Sequence, residues 1–129
     1  MSGKSLLDTN IVIALFKNEK PIVRKIRNLG EVYIPVTVVG ELYYGAYKSQ
    51  QVGKNLEKIF DFLADSDILG VSEKTARIYG EIKSRLKKKG RPIPENDIWI
   101  AAIARQYELP LVTKDKHFSE IEELELTLL

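Results

Sequence analysis

The sequence contains no cysteine and a single histidine among its 129 residues. Without cysteine there is no disulfide framework, no thiolate metal ligand and no cysteine nucleophile. One histidine cannot build the usual tetrahedral zinc sets on its own. No apolar run approaches the roughly 18–20 residues of a membrane helix, and the opening MSGKSLLDTN lacks the apolar core and small-residue cleavage site of a secretory signal. These absences lead us to expect a cytoplasmic protein with no membrane contact. Internal repeats, low-complexity tracts and linker-like stretches are missing too, so one domain spanning residues 1–129 is expected. Nor is there a large excess of one charge: the formal net charge is +2, far from that of a dedicated nucleic-acid coat.

The residues that are present have the profile of a globular protein, with 44% hydrophobic and 29% charged side chains. The basic residues are uneven. KSRLKKKGR (Lys83–Arg91) is the densest cluster and VRKIR (Val23–Arg27) a smaller one. Lysines at a helix C-terminus complement its dipole, and the same cluster is suited to contact with a polyanion; the two readings are compatible.

Short β-like runs alternate with longer helical patterns. KSLLD, EVYIP, DILGV, LPLVT and LELTL read as strands. Helical patterns lie between them: Ile11–Phe16, EKPIVRKIRNLG, TVVGELYYGAYKS, VGKNLEKIFDFLA, SEKTARIYGEIKSRLKKKG and PENDIWIAAIARQYE, the last with Pro94 expected in its first turn, and HFSEI reads as a short helix. Such alternation predicts an α/β fold with a central parallel sheet of about five strands and helices on both faces. Ligands of these sheets bind at the carboxyl ends of the strands.

That rule singles out certain acids. Asp8 ends the first strand, where it also suits a helix N-cap. Glu41 lies in VTVVGELYYGA, which is apolar nearly all round and expected to be buried on several sides. The flanking Gly40 and Gly45 are costly in a helix, and close approach of a ligand, another backbone or a packed helix would explain them. Asp97 falls near the start of a helix that must run antiparallel to the LPLVT strand, and Asp115 follows that strand directly. All four are expected at one edge, while Glu57, Asp61, Glu73, Glu81 and the EIEELE run read as solvated surface. Carboxylates so gathered repel one another unless some are protonated or a cation sits among them. Oxygen ligands suit Mg²⁺ or Mn²⁺. A metal–carboxylate site at this place points to phosphoryl transfer.

LLDTNIVI, VVGELYYGAYKS and NDIWIAAIARQYELPLVTKDKHF, in that order and spacing, resemble the PIN-domain ribonucleases, and most closely the small VapC-type toxins of toxin–antitoxin pairs. The resemblance covers essentially the whole chain. It implies a PIN-like α/β sandwich and Mg²⁺- or Mn²⁺-dependent endoribonuclease activity, in which a water activated by the metal hydrolyses RNA. It further implies a homodimer and a VapB-like antitoxin that blocks the acidic site. The family's four acids fall on Asp8, Glu41, Asp97 and Asp115, and its polar helper on Thr113, whose hydroxyl would hold a metal-bound water or orient Asp115. Asn10 and Asn96 flank acids and could act behind them. His117 is expected to pack or hydrogen-bond beside Phe118, with general-base catalysis as the alternative.

Three other readings compete. A receiver-like signalling module needs an acidic pair ending its first strand and an Asp ending a middle strand; here the first strand offers one acid, and DILGV ends without one. A haloacid-dehalogenase-type phosphatase needs a second Asp where Asn10 stands. A PIN-fold binding protein without hydrolytic role differs only in activity.

Overall fold

The computed structural model describes residues 3–129. In chain order its elements are β1 (Gly3–Leu7), α1 (Thr9–Phe16), α2 (Lys20–Arg27), β2 (Gly30–Pro35), α3 (Val36–Tyr47), α4 (Val52–Ala64), β3 (Asp67–Leu69), α5 (Glu73–Lys89), α6 (Glu95–Gln106), β4 (Leu111–Thr113), a 3₁₀ turn (Lys116–Glu120) and β5 (Leu126–Leu128). The five strands form one sheet in the order β3-β2-β1-β4-β5, and every pairing is parallel.

β1 is central because its residues can be buried on both faces. Leu6 and Leu7 have no exposed surface, like Leu111 and Val112 of β4 beside them. Such uninterrupted apolar runs belong to parallel strands covered on both sides. The chain builds outward from β1 through β2 to β3, then crosses back to lay β4 on the other flank of β1. Right-handed crossovers therefore place helices on both faces. The reversal opens a crevice at the carboxyl ends of β1 and β4, the usual ligand position in an open α/β sheet.

α6 is the most deeply buried helix, with Ile98, Ile100, Ala101, Ala102, Ile103 and Ala104 all in the core. Pro94 is its N-cap rather than a residue of its first turn. The fixed φ of proline and its missing N–H serve equally well there, just before the first unpaired donors. α5 ends in Lys87, Lys88 and Lys89 and is closed by Gly90 at φ 67°. The amide of Arg91 donates to the Leu86 carbonyl at 3.0 Å, a closure that needs the left-handed backbone glycine supplies.

One expectation about the middle of the chain is corrected. α3 buries a single stripe, Val38, Leu42 and Ala46, while Tyr44 and Tyr47 are 67% and 64% exposed. Its apolar character all round thus reflects one face on the core and another left open. Gly40 and Gly45 meet no crowding neighbour: a Cβ built at either has nothing within 4 Å. In α4 only Ile59 is fully buried, and Phe60 is exposed. Among the described residues, no helix is long and apolar enough to cross a membrane.

Candidate metal centre

β1 hands Asp8 directly to the crevice, where it caps α1. Its Oδ1 accepts from the Thr9 amide at 2.7 Å. Its Oδ2 accepts from the Thr113 hydroxyl at the end of β4, also at 2.7 Å. Helix cap and site residue are thus the same carboxylate, one oxygen turned to each task. Asp8 is only 3% exposed. Burial raises its pKa above 3.8; the bonds from Thr113 and Thr9 oppose this, and the charges of Asp115 and Glu41 add to it.

Thr113 is fully buried. Besides donating to Asp8, its oxygen accepts the Asp115 amide at 3.0 Å. The hydroxyl therefore ties two acids together, and its donor is committed to Asp8. Asp115 precedes the 3₁₀ turn, and its Oδ2 accepts from the Asn10 side chain at 3.2 Å. The Asn10 carbonyl oxygen in turn accepts the Lys114 amide at 3.3 Å.

Glu41, in the second turn of α3, accepts from the Asn96 amide group across to α6. The adjacent Asp97, in the first turn of α6, lies 2.8 Å through its Oδ2 from His117 Nε2. Its pKa is raised to about 6, first by burial and then by the charge of Asp8; His117 opposes the rise and Glu41 adds to it. The charges of Asp115 and Glu41 are felt at Asp8, and those of Asp8 and Glu41 at Asp97, so the four acids are neighbours. They are not equivalent in spacing: Asp97, Asp115 and His117 each offer an atom within 4.8 Å of the others, and Asp8 and Glu41 stand outside that tightest set.

The donor set has one further property. Among the described residues, Arg77, Lys83, Arg85, Arg105 and Lys114 form ion pairs, with Glu19, Glu73, Glu81, Glu95, Glu122 and Glu123. Among the described residues, no lysine or arginine pairs with Asp8, Glu41, Asp97 or Asp115. Carboxylates held together, with Asp8 and Asp97 raised in pKa and no lysine or arginine paired to them, fit a hard divalent ion with oxygen ligands. Thr9 and Thr37, on α1 and α3 near Asp8 and Glu41 in sequence, also bury hydroxyls that have no partner among the described residues.

Residues 5–124 match the PIN domain along nearly the whole chain. The chain belongs to the PIN-domain family. Curated PIN relatives include "Ribonuclease VapC2" of Haemophilus influenzae, 43% identical over 114 residues that cover 87% of this chain and 86% of the relative. The "tRNA(fMet)-specific endonuclease VapC" of Shigella flexneri is 39% identical with the same coverage. Among solved structures, VapBC2 from Rickettsia felis, bound to a DNA fragment from their promoter, superposes with a TM-score of 0.92 at 32% identity, covering 98% of both chains.

Two features escaped the sequence reading. One is the bond from His117 to Asp97, since only the proximity of His117 to Asp115 along the chain hinted that it reaches the centre. The other is a groove of about 330 Å³ between α1, α3 and α4, lined by Ile13, Phe16, Leu42, Ala46 and Ile59, with Glu41 in its wall. No single segment's periodicity signals a groove shared by three helices.

Proposed function

We propose that this PIN-domain protein is a metal-dependent endoribonuclease and the toxin of a VapBC-type toxin–antitoxin pair, working in the cytoplasm as a homodimer. Asp8, Glu41, Asp97 and Asp115 are the metal-binding acids, and Mg²⁺ or Mn²⁺ is the cofactor. The observation that carries this reading is the meeting of four acids from separate segments at the β1/β4 crevice, with no lysine or arginine paired to them. The cation, when bound, activates water for attack on a phosphodiester bond and offsets charge on the transition state.

The chain's own residues prepare that chemistry by fixing where the carboxylates point. Thr113 aims Asp8 and anchors the backbone of Asp115. Asn10 holds the Asp115 carboxylate and Asn96 holds Glu41. RNA is itself a polyanion, so a centre of acids needs cations at its rim. Lys87, Lys88 and Arg91 serve there: they lie where α5 ends, and only Gly90–Pro94 separates that end from the start of α6. The groove beside Glu41 is the proposed seat for a segment of a VapB-like antitoxin. Its apolar lining would take an apolar helix face, and an occupant would cover one wall of the acid centre.

The test is cleavage of single-stranded or looped RNA by the purified protein in Mn²⁺ or Mg²⁺. Activity should stop in EDTA and fall by roughly 100-fold or more in Asp8→Asn and Asp115→Asn, as expected when a metal ligand is lost. Undiminished cleavage in EDTA, or by both variants, would overturn the reading.

A further inference from the structure

His117 is the one donor at the centre not yet given a task. Three of the acids accept a side-chain hydrogen bond from a different neutral group, Asp8 from Thr113, Glu41 from Asn96 and Asp115 from Asn10, and the fourth, Asp97, meets His117 Nε2 at hydrogen-bond distance. Neutral donors are what such a centre requires. They fix a carboxylate's rotation while leaving its charge for a cation, which lysine or arginine would compensate instead.

His117 is also built to stay in place. It belongs to the 3₁₀ turn that follows β4, and its ring rests against Phe118 at 4.7 Å between centroids, tilted 44°. Phe118 is fully buried, and its carbonyl accepts the Ile121 amide at 3.1 Å, closing the turn. From this platform Nε2 spans to the first turn of α6 and meets Asp97 Oδ2 at 2.8 Å. A ring nitrogen whose proton is donated to a carboxylate has no lone pair free for a metal. That orientation leaves Asp97 Oδ1 unclaimed by His117.

We propose that His117 is the positioning residue for Asp97: its Nε2–H holds the carboxylate in the orientation that binds a divalent cation, and His117 itself is not a ligand. The proposal rests on the four-acid metal centre. Imidazole and carboxylate partners standing behind a metal ligand govern affinity in this way, and their loss typically costs 10–100-fold. The bond also fastens α6 to the turn after β4, so one contact sets both the carboxylate's rotation and the spacing between two walls of the crevice.

The experiment measures Mn²⁺ binding by the folded protein, without RNA, by calorimetry and by pulsed electron paramagnetic resonance. Three proteins are compared: the parent, His117→Ala, and His117→Gln, whose side-chain amide N–H takes the place of the Nε2–H. The expected result is affinity weakened roughly 10–100-fold in His117→Ala, affinity close to the parent's in His117→Gln, and no nitrogen coupling to Mn²⁺ in the parent. His117 is about one-third exposed at its side chain, so both variants should fold, and melting curves in EDTA check this. A parent that binds no Mn²⁺ overturns the metal centre itself. A parent that binds while His117→Ala matches it overturns the role of His117 alone. Nitrogen coupling present in the parent and lost in His117→Ala makes His117 a ligand and overturns positioning, as does a His117→Gln protein as weak as His117→Ala.

Discussion

Replacing Asp97 by asparagine should make the metal-free protein more stable, an unusual outcome for a mutation at an active centre. The folded protein holds the Asp97 carboxyl at a pKa of about 6, against an ordinary 3.8, because burial and the charges of Asp8 and Glu41 disfavour ionisation. At about 1.4 kcal/mol per pH unit the gap corresponds to roughly 3 kcal/mol. Solvent screening at this partly buried position reduces it to about 1–2 kcal/mol. Asparagine forgoes the favourable interaction of a charge with the α6 N-terminus, about 0.3–1 kcal/mol. The net expectation at pH 7.5 in EDTA is a gain of about 1 kcal/mol. For a chain of 129 residues that raises Tm by about 4 °C.

The pH dependence follows from the direction of the shift. The folded state binds this proton more tightly than the unfolded chain, so the parent loses stability as pH rises from about 4 through about 6. At pH 5 the unfolded chain is already mostly ionised at Asp97, so about half of the advantage of Asp97→Asn should remain, and near pH 4 it should largely vanish. Mn²⁺ reverses the ranking. At a hundred times its Kd, a cation that binds only the folded parent adds about 2.7 kcal/mol, and Asp97→Asn should gain much less. Thermal melts at pH 4, 5 and 7.5, with EDTA or Mn²⁺ and with the exposed Glu57→Gln as control, read all of this. An Asp97→Asn protein that is less stable at pH 7.5 in EDTA yet keeps the full Mn²⁺ gain would refute the reasoning. Asp97 would then be only a helix-end charge.

Thr113→Val should destabilise the protein by about 1–3 kcal/mol, because it leaves Asp8 Oδ2 and the Asp115 amide without their buried partner. Thr113→Ser, which keeps the hydroxyl, should recover most of that loss in urea unfolding; a Thr113→Val protein as stable as the parent would mean that the hydroxyl's bonds do not contribute. Expression of the protein alone should arrest growth of a bacterial host, while Asp97→Asn should be tolerated at the same protein level. Equal growth with the two would separate RNA cleavage in vitro from toxicity.

Much of this protein could be read along the chain because the relevant signals are local. LLD at a strand end, the apolar run of α6 and the proline before it depend on residues within one or two turns of each other. Parallel topology follows from the alternation of such segments, and the carboxyl-edge rule then brings Asp8, Asp97 and Asp115 to one crevice. Glu41 was legible for a different reason: a lone acid in an apolar helix requires an explanation. The same apolar pattern misled on burial, since hydropathy cannot distinguish a face turned to the core from one left open. Tyr44 and Tyr47 stand on the open face.

What tertiary structure alone decided is which side chain holds which. Thr113 and Asp8 are separated by 105 residues, Asn96 and Glu41 by 55, and His117 and Asp97 by 20. These bonds carry no periodic signature, because they depend on how the sheet register and the helix ends bring separate segments within about 3 Å. The sequence by itself determined that carboxylates would gather at one edge. Only the packed fold could assign each its donor, because a hydrogen bond requires position and direction that hydrophobic patterning does not encode.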